Sequence, residues 1–169
     1  ALADWLGYPR ALLFISGFAA NQALIAALVE KDDRIVADRL SHASLLEAAS
    51  LSPAQLRRFT HNDPQQLAQL LAKPLAGEQL AVTEGIFSMD GDCAPLRKLA
   101  ELKDKYRCKL YVDEAHAFGA YGPGGRGLAA QESVEDACDI RIATLGKAIA
   151  SQGAFVITDP LTRDLLVNR

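Results

Sequence analysis

The feature that most constrains the fold is an alternation, kept up along the chain, of short apolar or β-branched runs with segments of helical periodicity. Runs at 11–15, 34–38, 55–60, 79–84, 109–113, 140–145 and 153–158 lie between turn signals and read as strands. Apolar residues recur at helical spacing near 19–30, 43–51, 64–73, 95–107 and 160–167. Strands that alternate with helices predict an α/β domain, a mostly parallel sheet covered by helices on both faces, with a ligand site at the C-terminal strand ends. Residues 146–153 are too few for a crossover helix, so the last strand is expected to pair antiparallel. No repeat, low-complexity tract or linker divides residues 1–169, which read as one domain.

Composition narrows the function classes. Half of the 169 residues are apolar, enough for a substantial core. The 18 basic and 21 acidic residues leave a net charge of −3, which gives no electrostatic case for nucleic acid. Apolar runs such as 23–29 are too short to span a bilayer, and the N-terminal stretch lacks a signal-peptide layout, so a cytoplasmic protein without membrane partners is expected. Cys93, Cys108 and Cys138 are odd in number and widely spaced; reduced thiols are expected, with neither a disulfide frame nor a cysteine-ligated metal.

The residues that carry chemistry fall at strand ends. Thr144-Leu145-Gly146-Lys147 closes one strand signal, and a lysine there, among small residues, can be partly desolvated and made nucleophilic enough for a Schiff base. Asp113-Glu114-Ala115-His116 closes another, about thirty residues earlier, and an aspartate there suits a pyridine nitrogen that must stay protonated. Together they suggest a pyridoxal phosphate (PLP) site. Ser16-Gly17-Phe18-Ala19-Ala20-Asn21 follows a strand and opens a helix, whose first amides can hold a phosphate. In Ser41-His42-Ala43-Ser44 the imidazole of His42 could stack on an aromatic ring, with a capping Ser and an exposed His as the plain alternative.

Two other motifs fail on completeness. Asp113-Glu114-Ala115-His116 has the spelling of a helicase Walker B segment, yet no phosphate-binding loop of the Gly-x-x-x-x-Gly-Lys-Ser/Thr kind accompanies it. Gly122-Pro123-Gly124-Gly125-Arg126-Gly127 has dinucleotide-fingerprint spacing, but it is separated from the preceding strand and stiffened by Pro123.

These motifs, in this order, resemble the α-oxoamine synthase family, PLP enzymes of the aspartate-aminotransferase fold (fold type I). The likeness is densest over Leu12 to Asn21, Asp38 to Asp63, Glu84 to Asp92 and Asp113 to Gly127. It is greatest to the biotin-pathway members, which condense L-alanine with a pimeloyl thioester, pimeloyl-CoA or pimeloyl-acyl carrier protein. The resemblance implies that Lys147 bonds the cofactor and removes the α-proton, that Asp113 keeps the ring nitrogen protonated, and that His42 stacks on the ring and positions the amino acid. It further implies that Ser88 and His116 hydrogen-bond the phenolic oxygen and that Gly17, Phe18 and Thr144 hold the phosphate. Glu84 is placed close to the substrate. Other members of the family stay open: glycine acetyltransferase, 5-aminolevulinate synthase and serine palmitoyltransferase. From a different class, so does a non-catalytic scaffold of the same fold.

Family members carry an N-terminal arm and a C-terminal small domain that have no counterpart in these 169 residues. The expectation is a fragment of the large domain, taken from a homodimer whose site lies at the subunit interface.

Overall fold

The computed structural model describes residues 2–168. A single seven-stranded sheet runs through it in the order β1-β7-β6-β5-β4-β2-β3. The strands are β1 (Arg10–Phe14), β2 (Arg34–Asp38), β3 (Gln55–Phe59), β4 (Gln79–Glu84), β5 (Lys109–Asp113), β6 (Ile140–Thr144) and β7 (Ala154–Thr158). All seven expected strands form, with ends that agree within about one residue; all but the edge strand β3, Gln-Leu-Arg-Arg-Phe, are compact apolar runs closed by a turn. β3, β2, β4, β5 and β6 are mutually parallel. β7 is antiparallel to both β6 and β1, as the short 146–153 connection requires.

The α-helices are α1 (Leu2–Leu6), α2 (Gly17–Leu28), α3 (Ala43–Leu51), α4 (Pro64–Leu71), α5 (Leu96–Tyr106), α6 (Leu128–Glu132) and α7 (Pro160–Asn168). The five long ones match the periodic segments. The one-turn helix α6 is an addition, too short for periodicity to reveal. Its start is held by a distant carboxylate, described below.

Side chains alternate across the sheet, and both faces are apolar, so the strands read as continuous apolar runs. Val36, Ala81, Leu110 and Val112 pack with Leu67 and Leu71 of α4 and Leu96 and Leu99 of α5. Ile35, Val82, Tyr111, Ile142 and Val156 face the other way, against Leu24 and Ile25 of α2 and Leu45 of α3. Burial of each of these large apolar side chains contributes about 1.5–3 kcal/mol. The charged run 97–107 is the outer face of α5, whose Leu96, Leu99, Ala100 and Leu102 point inward.

The strand order sets the place of the site. From β2 the chain moves outward to β3 and then returns to β4 on the other side of β2. Such a reversal opens a crevice at the C-terminal strand edge. β1, antiparallel to β7 and therefore parallel to β6, delivers the start of α2 to that same edge.

Candidate active site

Gly17, Phe18, Asn21, His42, Ser44, Glu84, Asp113, Ala115, His116, Thr144 and Lys147 line one cavity of about 160 Å³ at this edge. Each arrives from its own element. Ser16 caps α2 by accepting from the Ala19 amide at 3.1 Å, while its carbonyl takes the Ala20 amide. The Gly17 and Phe18 amides at the helix start therefore have no intrahelical partner and lie at the cavity with the positive end of the helix dipole. Gly17 has no room for a side chain, since a Cβ there would come within 2.7 Å of Thr144 Cγ2.

Asp113 closes β5 and is buried. Its Oδ1 accepts the Ala115 amide at 2.9 Å, and Oδ2 lies 3.4 Å from Asn21 Nδ2. Burial pushes its pKa up, opposed by the Ala115 and Asn21 hydrogen bonds and by the charge of Lys147. A carboxylate buried in this way gains most from a cationic group placed against it.

Asn21 then extends the chain of contacts. Its Nδ2 donates to Ser44 Oγ at 2.8 Å and its Oδ1 accepts from the Tyr111 hydroxyl. Ser44 Oγ is in turn 2.8 Å from His42 Nδ1, which also accepts the Ser44 amide at 3.2 Å. With Nδ1 accepting, the proton of the neutral ring sits on Nε2. Asp113 and His42 are thus held by one hydrogen-bonded line.

Glu84 pairs in register with Asp113 on the neighbouring strand. Burial, and then the negative charge of Asp113, push its pKa up to about 8 against the His42 amide and Lys147. His116 Nδ1 is 3.8 Å from Glu84 Oε2, and its pKa is lowered, chiefly by burial and next by Lys147. Much of Lys147 is open to solvent, yet dehydration of its amine outweighs the attraction of Asp113 and Glu84, and its pKa falls below the usual lysine value. That makes the free amine more available as base or nucleophile.

Glu84 Oε1, His116 Nδ1 and Thr144 Oγ1 are buried without a hydrogen-bond partner among the described residues. Polar atoms so placed around a cavity are what a polar ligand would satisfy. Phe18, which also lines the cavity, is 51% exposed.

Ser88 is the expected site residue that does not reach the cavity. The Ile86–Cys93 bridge closes a tight turn in which Phe87 pairs with Asp92 and Gly91, and this leaves residues 88–90 exposed. Conversely, Asn21 and Ser44 line the cavity although the sequence motifs that contain them assign neither a site role. Spacing carries no sign that an asparagine on α2 meets an aspartate 92 residues away.

A model of the aminotransferase class I and II family matches residues 1–168. The chain belongs to that family. The 8-amino-7-oxononanoate synthase of Klebsiella pneumoniae subsp. pneumoniae is 70% identical over 99% of this chain and 43% of its own length. The protein of the same name from an Enterobacter strain is 60% identical over the same shares. The chain thus spans less than half the length of these curated relatives. Among solved structures, a serine palmitoyltransferase from S. paucimobilis with a bound PLP–myriocin aldimine superposes with a TM-score of 0.94 at 32% identity, over 98% of this chain and 42% of that one. An 8-amino-7-oxononanoate synthase from Francisella tularensis gives 0.84 at 39% identity, over 98% and 48%. The neighbours of this class I and II aminotransferase chain are thus PLP-dependent enzymes of fold type I, the fold class its sequence predicts.

The buried Glu84 carries a pH dependence that can be measured without a ligand. An acid whose folded pKa is about 8 keeps its proton where the unfolded chain, near 4.5, has lost it. Folded protein holds more protons in that window, so stability falls as pH rises across it. Glu84→Gln keeps the shape and removes the titration. Urea denaturation of the cofactor-free protein at pH 5 and pH 8 should show a smaller loss between the two in the variant, by on the order of a few kcal/mol.

Proposed function

We propose that the protein containing this chain is a PLP-dependent acyltransferase that condenses L-alanine with a pimeloyl thioester, with loss of carbon dioxide, to form 8-amino-7-oxononanoate, a step of biotin synthesis. The observation that carries the reading is the convergence of Lys147, Asp113, His42, Glu84, His116, Thr144 and the start of α2 on one cavity.

The residues fit PLP in charge and in donor set. The free amides of Gly17 and Phe18, at the positive end of α2, and the unpartnered Thr144 hydroxyl suit a phosphate dianion. Asp113, buried and accepting from the Ala115 amide, would hold a proton at the ring nitrogen. His42, oriented by Ser44, would pack on the ring, and His116 Nδ1 would serve the phenolic oxygen. Ser88 joins His116 in that role if the exposed turn after β4 folds inward. When bound, PLP supplies an electron sink for negative charge that develops at the amino-acid Cα.

The chain's own groups supply the rest. Lys147, its pKa lowered, would hold the cofactor covalently until the amino group of the amino acid displaces it, and the freed Nζ would then take the α-proton. Glu84, protonated up to about pH 8, can donate a hydrogen bond beside the amino-acid carboxylate where an ionised acid would repel it. The preference for alanine and a pimeloyl chain over the serine palmitoyltransferase alternative rests on the 57–70% identity to 8-amino-7-oxononanoate synthases.

Exposed apolar side chains that follow the C-terminal strand ends support a homodimer. Ile15 and Met89 are each 89% exposed, and Phe18 and Leu40 are exposed as well. No described helix is long and apolar enough to cross a membrane, and a cytoplasmic location is part of the same proposal. The test is an assay of the intact protein with alanine, glycine and serine against acyl-CoA and acyl-carrier-protein donors of several chain lengths, with its mass followed by sedimentation. Alanine with a pimeloyl donor should give the highest kcat/KM, from a dimer. Preference for serine with a long acyl chain would replace this reading with the palmitoyltransferase one.

A further inference from the structure

A second group of titratable side chains stands outside the cavity and has no part in the chemistry above. His61, two residues after β3, lies between two carboxylates, with Nδ1 3.0 Å from Asp38 Oδ1 and Nε2 2.7 Å from Asp92 Oδ2. Phe87 meets the imidazole edge-on at 4.4 Å between ring centroids. Asp38, at the end of β2, is fully buried. Its Oδ1 also accepts the Leu40 amide at 2.8 Å, its Oδ2 accepts the Asn62 amide at 2.9 Å, and its carbonyl takes the Ser41 amide at 3.1 Å. Asn62 sits in the left-handed region, φ +53°, and from there its Nδ2 donates to Asp92 Oδ2 at 2.7 Å and to the Cys93 carbonyl at 3.1 Å. Asp92 in turn accepts the Phe87 amide on its carbonyl at 3.0 Å.

The three loops that follow β2, β3 and β4 are therefore stapled through one imidazole. The first of them carries His42. Both carboxylates need a donor from the ring, so the staple is complete when both nitrogens hold protons. Dehydration works against that cation, but hydrogen bonds to Asp38 and Asp92 outweigh it and raise the pKa of His61. Such charge-assisted hydrogen bonds hold geometry more tightly than neutral ones.

We propose that His61 is a positioning residue: by bridging Asp38 and Asp92 it fixes the β2–α3 turn against the β4–α5 loop and so sets where His42 meets the cofactor ring. This rests on the PLP reading for its last step, while the staple itself does not.

The test uses the intact protein and His61→Phe, which keeps a ring against Phe87 and removes both donors, with His61→Gln as the conservative variant. Lys103→Met is the control. It breaks the 3.2 Å Lys103–Asp139 pair at the opposite edge of the sheet and leaves the staple alone. Hydrogen exchange is followed by mass spectrometry on cofactor-free protein. Amides in 39–46 and 86–94 should exchange about tenfold faster in His61→Phe, a fall of roughly 1.4 kcal/mol in the free energy of opening, and at the parent rate in Lys103→Met. In holoprotein, the dissociation constant for PLP should rise about tenfold and the visible circular dichroism of bound PLP should fall, both partly restored in His61→Gln and unchanged in the control. Unchanged exchange at both loops overturns the staple. Faster exchange with parent PLP affinity and dichroism overturns the positioning role. A parent protein without PLP absorbance overturns the cofactor reading, and the positioning role with it, while the exchange data still decide whether His61 staples the loops.

Discussion

Replacement of Lys147 by alanine is expected to abolish turnover, a loss on the order of 10⁴-fold or more in kcat, while leaving the fold intact. Lys147 contributes the only amine among the described residues that line the cavity. In the proposed reaction two jobs depend on that amine: holding the cofactor and carrying the α-proton. The second alone is worth about 10²–10⁴ in rate. Lys147 is an exposed residue at the cavity rim, outside the core clusters, so its removal should change the thermal midpoint little. On the proposed reading, cofactor should still bind through the α2 amides, Thr144, Asp113 and His42, without covalent attachment. The measurement pairs steady-state kinetics with borohydride reduction and peptide mapping, which should label Lys147 in the parent and nothing in the variant. Turnover near the parent rate in Lys147→Ala would remove the catalytic reading and leave a scaffold of the same fold.

The largest effect on stability should come from Arg141. Its guanidinium and the Glu114 carboxylate are both fully buried, with Arg141 Nη2 3.0 Å from Glu114 Oε1. Glu114 also accepts the Leu128 amide at 2.8 Å and the Ala129 amide at 3.0 Å, so it supplies the start of α6 with the cap that Gly127 lacks. Arg141 donates further to the Arg126 carbonyl, and its Nε and Nη1 have no hydrogen-bond partner among the described residues. The Phe118 and Tyr8 rings stand near the guanidinium, 4.9 and 5.5 Å from its carbon, and compensate in part.

Arg141→Met fills much of the same volume but strands a buried carboxylate. Breaking one side of such a pair costs about 3–5 kcal/mol, against about 1 kcal/mol or less for an exposed pair such as Lys98–Glu101. Urea denaturation should register that loss, with the Gly-rich 122–127 loop and α6 the first to lose protection. Turnover per folded molecule should stay near the parent value, because neither residue lines the cavity. Arg141→Met that unfolds at the parent urea midpoint would mean that Glu114 takes its proton at little cost.

The Glu114–Arg141 pair also marks the boundary between what was legible and what was not. The strands, the long helices and the strand-end positions of His42, Glu84, Asp113, Thr144 and Lys147 could be read from sequence because apolar periodicity and turn residues act over a few neighbours. So could the antiparallel β7, since its connection is too short for anything else. The second acidic residue of Asp113-Glu114-Ala115-His116 could be read only as part of a motif, because its partner comes from β6, 27 residues later, and becomes adjacent only when β5 and β6 pair.

The same holds for the line Asp113–Asn21–Ser44–His42, which joins β5, α2 and α3, and for His61, which meets Asp38 and Asp92 only because β3, β2 and β4 lie side by side. Ser88 shows the reverse: the family resemblance placed it at the site, and a tight turn between Ile86 and Cys93 left it exposed. Sequence by itself determined which residues end the strands at the functional edge. Tertiary structure decided which of them touch, because hydrogen bonds and ion pairs act over about 3–4 Å and depend on a strand order that no local pattern encodes.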